Sequence, residues 1–150
     1  MSESDLYNSA VLGLGDLGFA TDDMKLVDTR ETDGDFVLRV GQINDGYFMF
    51  DSVLEVRLRD GEIIHINGCW NEVAEVLPLN RKIEGSVKAL IEFTTDPKRT
   101  DSDNEIVSVT AGYKISDTAD YEKNIEIQML PVWRVVTNSG NAFYYDARAK

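Results

Sequence analysis

The sequence contains one histidine and one cysteine, so nucleophilic or acid–base chemistry built on either has to start from His65 and Cys69. Four residues apart on an extended strand, they would share a face but stand about 13 Å from each other. A nucleophile and its base need contact at roughly 3 Å. His65 therefore reads as a solvent-side residue and Cys69 as a buried one, with Asp51 and Glu55 the only other candidates close in sequence. One histidine and one cysteine also cannot complete a structural zinc site. Asp101, Asp103 and Glu105 alternate as carboxylates do in a calcium loop, but the turn glycine and the distal bidentate glutamate are missing, so the segment reads as a solvated acidic loop. Gly13 to Gly18 spells G-x-G-x-x-G. A dinucleotide site needs a strand before that motif and a helix after it. Here the order is reversed, and the motif reads as the end of a helix. No nucleophile elbow, phosphate loop or zincin helix occurs. The expectation is a protein that is not an enzyme and has no catalytic residues, no metal and no cofactor.

Charge narrows the partners further. The chain of 150 residues carries 15 basic and 27 acidic side chains, net −12, with no lysine and arginine stripe of the kind that neutralises phosphates. Nucleic acid and anionic membrane are thus poor partners. An apolar content of 43% over this length is enough for one domain, or two small packed ones, to fold without disulfides. The apolar runs fall short of the roughly 20 residues that span a bilayer, and the first residues lack a signal-peptide pattern. Two expectations follow: a cytoplasmic protein if Met1 is the native start, or the soluble part of a membrane-anchored one whose anchor lies outside this chain.

The elements that would position any site follow from periodicity. Ser4 is expected to cap a first helix with Leu6, Ala10, Leu14 and Leu17 on one stripe, ended by Gly18. Strands are expected at Met24–Thr29, Asp35–Val40, Val53–Leu58 and Glu62–Ile66, with Asp33 and Gly34 turning the first pair. At Asp60-Gly61 a three-residue loop pairing Leu58 with Glu62 favours burial over the two-residue alternative pairing Leu58 with Ile63. Asn80 is expected to cap a second helix whose buried stripe is Ile83, Val87, Leu90 and Ile91. Strands over 107–115, Asn124–Thr137 and Ala142–Asp146 complete the order, with a bulge or sheet edge expected at Pro131. This is an α+β fold of two helix-plus-antiparallel-sheet units, α-β4-α-β3, divided into 1–76 and 77–150.

Three stretches carry a family resemblance: Glu105 to Tyr113, Leu130 to Ala147 with its Pro131-x-Trp133, and Gly46 to Asp51 followed by Gly68-Cys69-Trp70. They resemble YycI-type (YycI/YycH-like) regulatory proteins of two-component systems. PepSY-like domains would leave a similar trace. The resemblance implies an extracytoplasmic, membrane-anchored, non-catalytic module whose partner is a protein, a sensor histidine kinase or a paralogous regulator. The residues themselves nominate a surface for that contact. Trp133 shares parity with Ile127 and Met129 and reads as core, leaving Leu130, Val132, Arg134 and Val136 as the outward, partner-binding set. The alternative is a small-ligand protein or small enzyme with a pocket between sheet and helix.

Overall fold

Helix α1 (Glu3–Asp16) starts at Ser2, whose hydroxyl accepts the Asp5 amide while the Asp5 carboxylate accepts the Ser2 amide. The expected cap, Ser4, lies inside the helix because Tyr7, three residues on, cannot return that second bond. The computed structural model describes residues 2–73, 76, 82–116 and 128–149. Contacts within the chain divide it into two compact units, Met1–Glu72 and Val73–Lys150. The described residues form a mixed α+β structure, mostly sheet with two helices, and every strand pair detailed below is antiparallel. No helix among them is long and apolar enough to cross a membrane.

In the first unit Leu6, Ala10 and Leu14 are buried as their spacing requires. Leu17 is not: it caps the helix at 62% exposure, because the chain closes there with Gly18 N–H bonding to Gly15 and Phe19 N–H to Leu14. Phe19 takes the place expected of Leu17 and meets Trp70 edge-on at 6.5 Å. The α1 stripe packs on Leu38, Val40, Leu54, Val56 and Leu58 of a four-stranded meander. Its strands are β1 (Met24–Thr32), β2 (Asp35–Asn44), β3 (Tyr47–Arg59) and β4 (Glu62–Gly68). All three hairpins are two-residue Asp-Gly turns at Asp33, Asp45 and Asp60, with φ of 51 to 53° at the aspartates and 79 to 81° at the glycines. The Asp60-Gly61 register therefore differs from expectation, with Leu58 opposite Ile63. A bulge that leaves Ile64 unpaired and 45% exposed then brings Ile66 opposite Val56, so the apolar side chain is recovered by a bulge and not by a longer loop.

In the second unit α2 (Ser86–Thr94) packs on β6 (Met129–Thr137) and β7 (Ala142–Asp146), and β5 (Ile106–Ile115) pairs with β6 on the other side. Asn80 lies outside the described residues. The buried face of α2 is Ala89 and Phe93, while Val87 and Ile91 are 68% and 63% exposed, which reverses the expected stripe. Polar ties set the roll of the helix: the Trp133 indole N–H donates to the Glu84 carbonyl at 3.0 Å, and Lys88 Nζ donates to the Arg148 carbonyl at 3.2 Å. With that roll, Phe93 meets Phe143 at 5.3 Å and closes a core with Val135, Val109 and Tyr145. Pro131 causes no bulge, and its strand is flanked on both sides. The N–H that proline lacks would have faced the Ala147 carbonyl, which accepts the Glu84 N–H instead at 2.7 Å.

Candidate binding cleft

Alternation along β6 sends Trp133 and Val135 toward α2 and Leu130, Val132, Arg134 and Val136 to the opposite face. The ladders place Lys114 beside Leu130, Asp146 beside Val132, Tyr144 beside Arg134, and Ala142 beside Val136. The four nominated residues thus do share a face. They do not form a flat exposed stripe, since Val132 is only 8% exposed and the other three are half-buried. Leu130 and Val132 line a cleft of about 530 Å³ together with side chains of β5, β7 and the segment after α2.

The cleft is polar at its rim. Lys114 lies over the Tyr144 ring at 5.1 Å, a cation–π contact that holds the ammonium beside the cleft. Asp96 accepts the Lys98 amide at 2.9 Å and the Tyr145 hydroxyl at 2.7 Å, and these two bonds hold its carboxyl below the usual range. Burial, reinforced by Asp96, pushes the Tyr145 phenol well above its ordinary value. Asp146 takes a two-pronged contact from Arg148, at 3.0 and 2.8 Å, which lowers its pKa in the same way. Both acids of the cleft are therefore charged and already matched at neutral pH.

Asp103 sets the geometry of the turn beside this cleft. It is fully buried, and it accepts the Thr100 amide at 3.0 Å, the Thr100 and Thr137 hydroxyls at 3.2 and 2.8 Å, the Ser139 hydroxyl, and the Asn141 amide at 3.0 Å. The Ser139 bond, then those of Thr100 and Thr137, hold its carboxyl far below the ordinary range. Asp103 is thus not a solvated member of an acidic loop. Asp101 and Glu105 remain exposed, and no group of three or more His, Cys, Asp or Glu among the described residues is arranged to hold a metal. The sequence signal that could have found this hub is the run Thr137, Ser139, Asn141, three short polar side chains at alternate positions around one turn.

The other candidates stay apart. His65 is exposed on β4 opposite Arg57, and Cys69, expected to be buried, is exposed just after the strand. Gly13 lies in mid-helix, where an added Cβ would stand 2.5 Å from Ile63 Cδ1, so its role is close approach of α1 to β4. Three buried polar residues that spacing alone did not reveal, Asp35, Gln42 and Ser52, are structural. Asp35 is gripped by Arg57 and Arg59 at 2.8 to 2.9 Å, first by Arg59, and its carboxyl is lowered as a result. Gln42 and Ser52 bind Asn71 and anchor the chain after β4.

A helix packed on antiparallel strands in each unit, with a cleft in the second, defines an α+β module of sheet-on-helix type. No protein-family profile matches the chain, and comparison with curated proteins finds no match. Among solved structures it is similar to one described as the Bacillus megaterium YpeB C-terminal domain, with a TM-score of 0.53, 13% sequence identity, and coverage of 100% of this chain and 64% of that chain. That likeness is one of fold alone and does not single out YycI-type proteins. The chain spans about 64% of the length of that neighbour.

Proposed function

We propose that this chain is a non-catalytic regulatory module that binds a protein partner through the β6 face carrying Leu130, Val132, Arg134 and Val136. The observation that carries this reading is the cleft of about 530 Å³ whose apolar Leu130 and Val132 are bordered by matched charges. An apolar floor with a polar rim is how protein-binding sites combine area with orientation. Fold likeness to a YpeB C-terminal domain supports a binding module over an enzyme, as does the scatter of His65, Cys69 and the acidic loop. An extracytoplasmic place and a sensor kinase or paralogous regulator as partner, as in YycI-type proteins, belong to this proposal. Leu130 and Val132 face away from α2, so the reading of a ligand pocket between sheet and helix has less in its favour.

The test is photocrosslinking in the source cells. A benzophenone amino acid replacing Val136 is expected to give a discrete adduct that Arg134→Glu diminishes, while the same group at exposed Asp60 gives none. Equal yields from Val136 and Asp60, or no adduct from Val136, would refute the assignment of this face.

A further inference from the structure

We infer that Asn67-Gly68 is a self-modification site, where the asparagine cyclises onto the glycine nitrogen and reopens as aspartate or isoaspartate, loosening the end of β4. The chain contains a single Asn-Gly dipeptide, and it lies here. The fold imposes the glycine, since a Cβ at position 68 would overlap the Val53 carbonyl oxygen. That missing Cβ also leaves the Gly68 nitrogen unshielded from the side chain before it. The ladder directs this nitrogen outward. Cys69 N–H donates to the Val53 carbonyl, so Cys69 and Val53 form a hydrogen-bonded pair and, by alternation, Gly68 and Leu54 a non-hydrogen-bonded one. Gly68 N–H is thus on the side of β4 away from β3, and among the described strands β4 pairs with β3 alone. Asn67 is exposed, and among the described residues its carboxamide has none of the ties that hold Asn71 to Ser52, Asn138 to the Glu105 N–H and Asn141 to Asp103. Extended geometry keeps the Gly68 nitrogen from Asn67 Cγ, so reaction passes through fraying of the last pairs of this edge strand, which takes far less free energy than unfolding the unit.

The Gly68 nitrogen, its proton taken by water or hydroxide, attacks Asn67 Cγ. A C–N bond forms, the Cγ–Nδ2 bond breaks, and the nitrogen leaves as ammonia with that proton returned. Water then opens the cyclic imide at either carbonyl. Attack at Cγ gives aspartate, and attack at the main-chain carbonyl of residue 67 gives isoaspartate, with the chain continuing through Cγ. The balance is one water consumed and one ammonia released, with no oxidant, reductant or enzyme. Either product weakens the site. Aspartate sets a second carboxylate directly opposite Glu55, a like-charge cross-strand pair. Isoaspartate adds a methylene to the main chain, which shifts the register that carries Cys69 N–H to Val53 and Trp70 to Phe19.

The experiment incubates the full chain, folded, in mildly alkaline buffer and follows it by ion exchange, tandem mass spectrometry and isoaspartyl methyltransferase labelling. One more acidic form is expected, a single charge beyond the starting net −12, mapping to residue 67 with isoaspartate in excess over aspartate. It should form faster as pH rises, because the attacking nitrogen must be deprotonated. Asn67→Gln, an exposed replacement that needs a larger and slower ring closure, should abolish it. The purified product should unfold at lower urea than the parent by Trp70 fluorescence in a Trp133→Phe background. First conversion at Asn138 or another asparagine, persistence of the acidic form in Asn67→Gln, conversion only after urea has unfolded the chain, or a product with the parent's urea midpoint would each overturn the inference.

Discussion

Gly68→Ala should be among the most damaging single-methyl additions to the first unit. Gly68 closes β4 at φ 130° opposite Leu54, and a Cβ built on it would stand 2.1 Å from the Val53 carbonyl oxygen. Such a backbone conformation costs a non-glycine residue on the order of 1–3 kcal/mol. Relieving the overlap means moving backbone, which breaks the Cys69 N–H to Val53 carbonyl bond of 3.2 Å, a loss of about 1 kcal/mol. The sum is about 3 kcal/mol, or a fall in Tm of roughly 12–24 °C for a unit of this size. Gly46→Ala is the control, since φ there is also positive at 81° but nothing lies within 4 Å. It should cost only about 1 kcal/mol. The assay is urea unfolding followed by Trp70 fluorescence in a Trp133→Phe background, because each unit carries one tryptophan. A Gly68→Ala loss no larger than that of Gly46→Ala would refute the close approach to Val53, and with it the claim that Gly68-Cys69-Trp70 is a structural motif.

In the second unit, Asp103 should govern acid stability. Its carboxyl is depressed in the folded chain, so its contribution is complete above the unfolded carboxylate range, near pH 4, and is lost as pH falls through and below it. Asp103→Asn should therefore be less stable at pH 7, flatter between pH 4 and 2, and converge with the parent at low pH; Trp133 fluorescence in a Trp70→Phe background reports it, and parallel curves would remove Asp103 as the cause. Val132→Asp places a charge at a site 8% exposed and should destabilise by about 3 kcal/mol or more, whereas Val136→Asp, half-buried on the same face, should cost about 1 kcal/mol or less by urea midpoint. Equal losses would mean that cleft floor and surrounding face are not distinct.

Much of this architecture was legible in the sequence wherever a local rule acted alone. The alternation of β3 and β6, the Asp33-Gly34 turn and the buried positions Leu6, Ala10 and Leu14 each rest on period or turn chemistry. Legibility failed where a tertiary polar bond outranked apolar pattern. Val87 and Ile91 form the stronger stripe of α2, yet Trp133 and Lys88 hold the helix so that Ala89 and Phe93 are inside. At Asp60-Gly61 the turn took its preferred two-residue form and a bulge at Ile64 restored burial, a compromise that a choice between two uniform registers could not contain. The cleft was half legible: parity found its Leu130 and Val132, but its depth depends on Lys114, Tyr144 and Asp96, which meet only in the folded chain.

The buried hub and the placement of β7 belong to one physical account. Asp103 draws Thr137, Ser139 and Asn141 to a single carboxylate, and these residues are the end of β6, the turn and the residue before β7. The position at which β7 begins is thereby set by a charged group that is desolvated and fully hydrogen-bonded, an arrangement that tolerates little displacement before a donor is lost. At the other end, Pro131 and Glu84 share the Ala147 region, Glu84 supplying the bond the proline cannot make. A strand held at both ends by obligatory polar contacts keeps one register on β6, with Val132 opposite Asp146 and Val136 opposite Ala142.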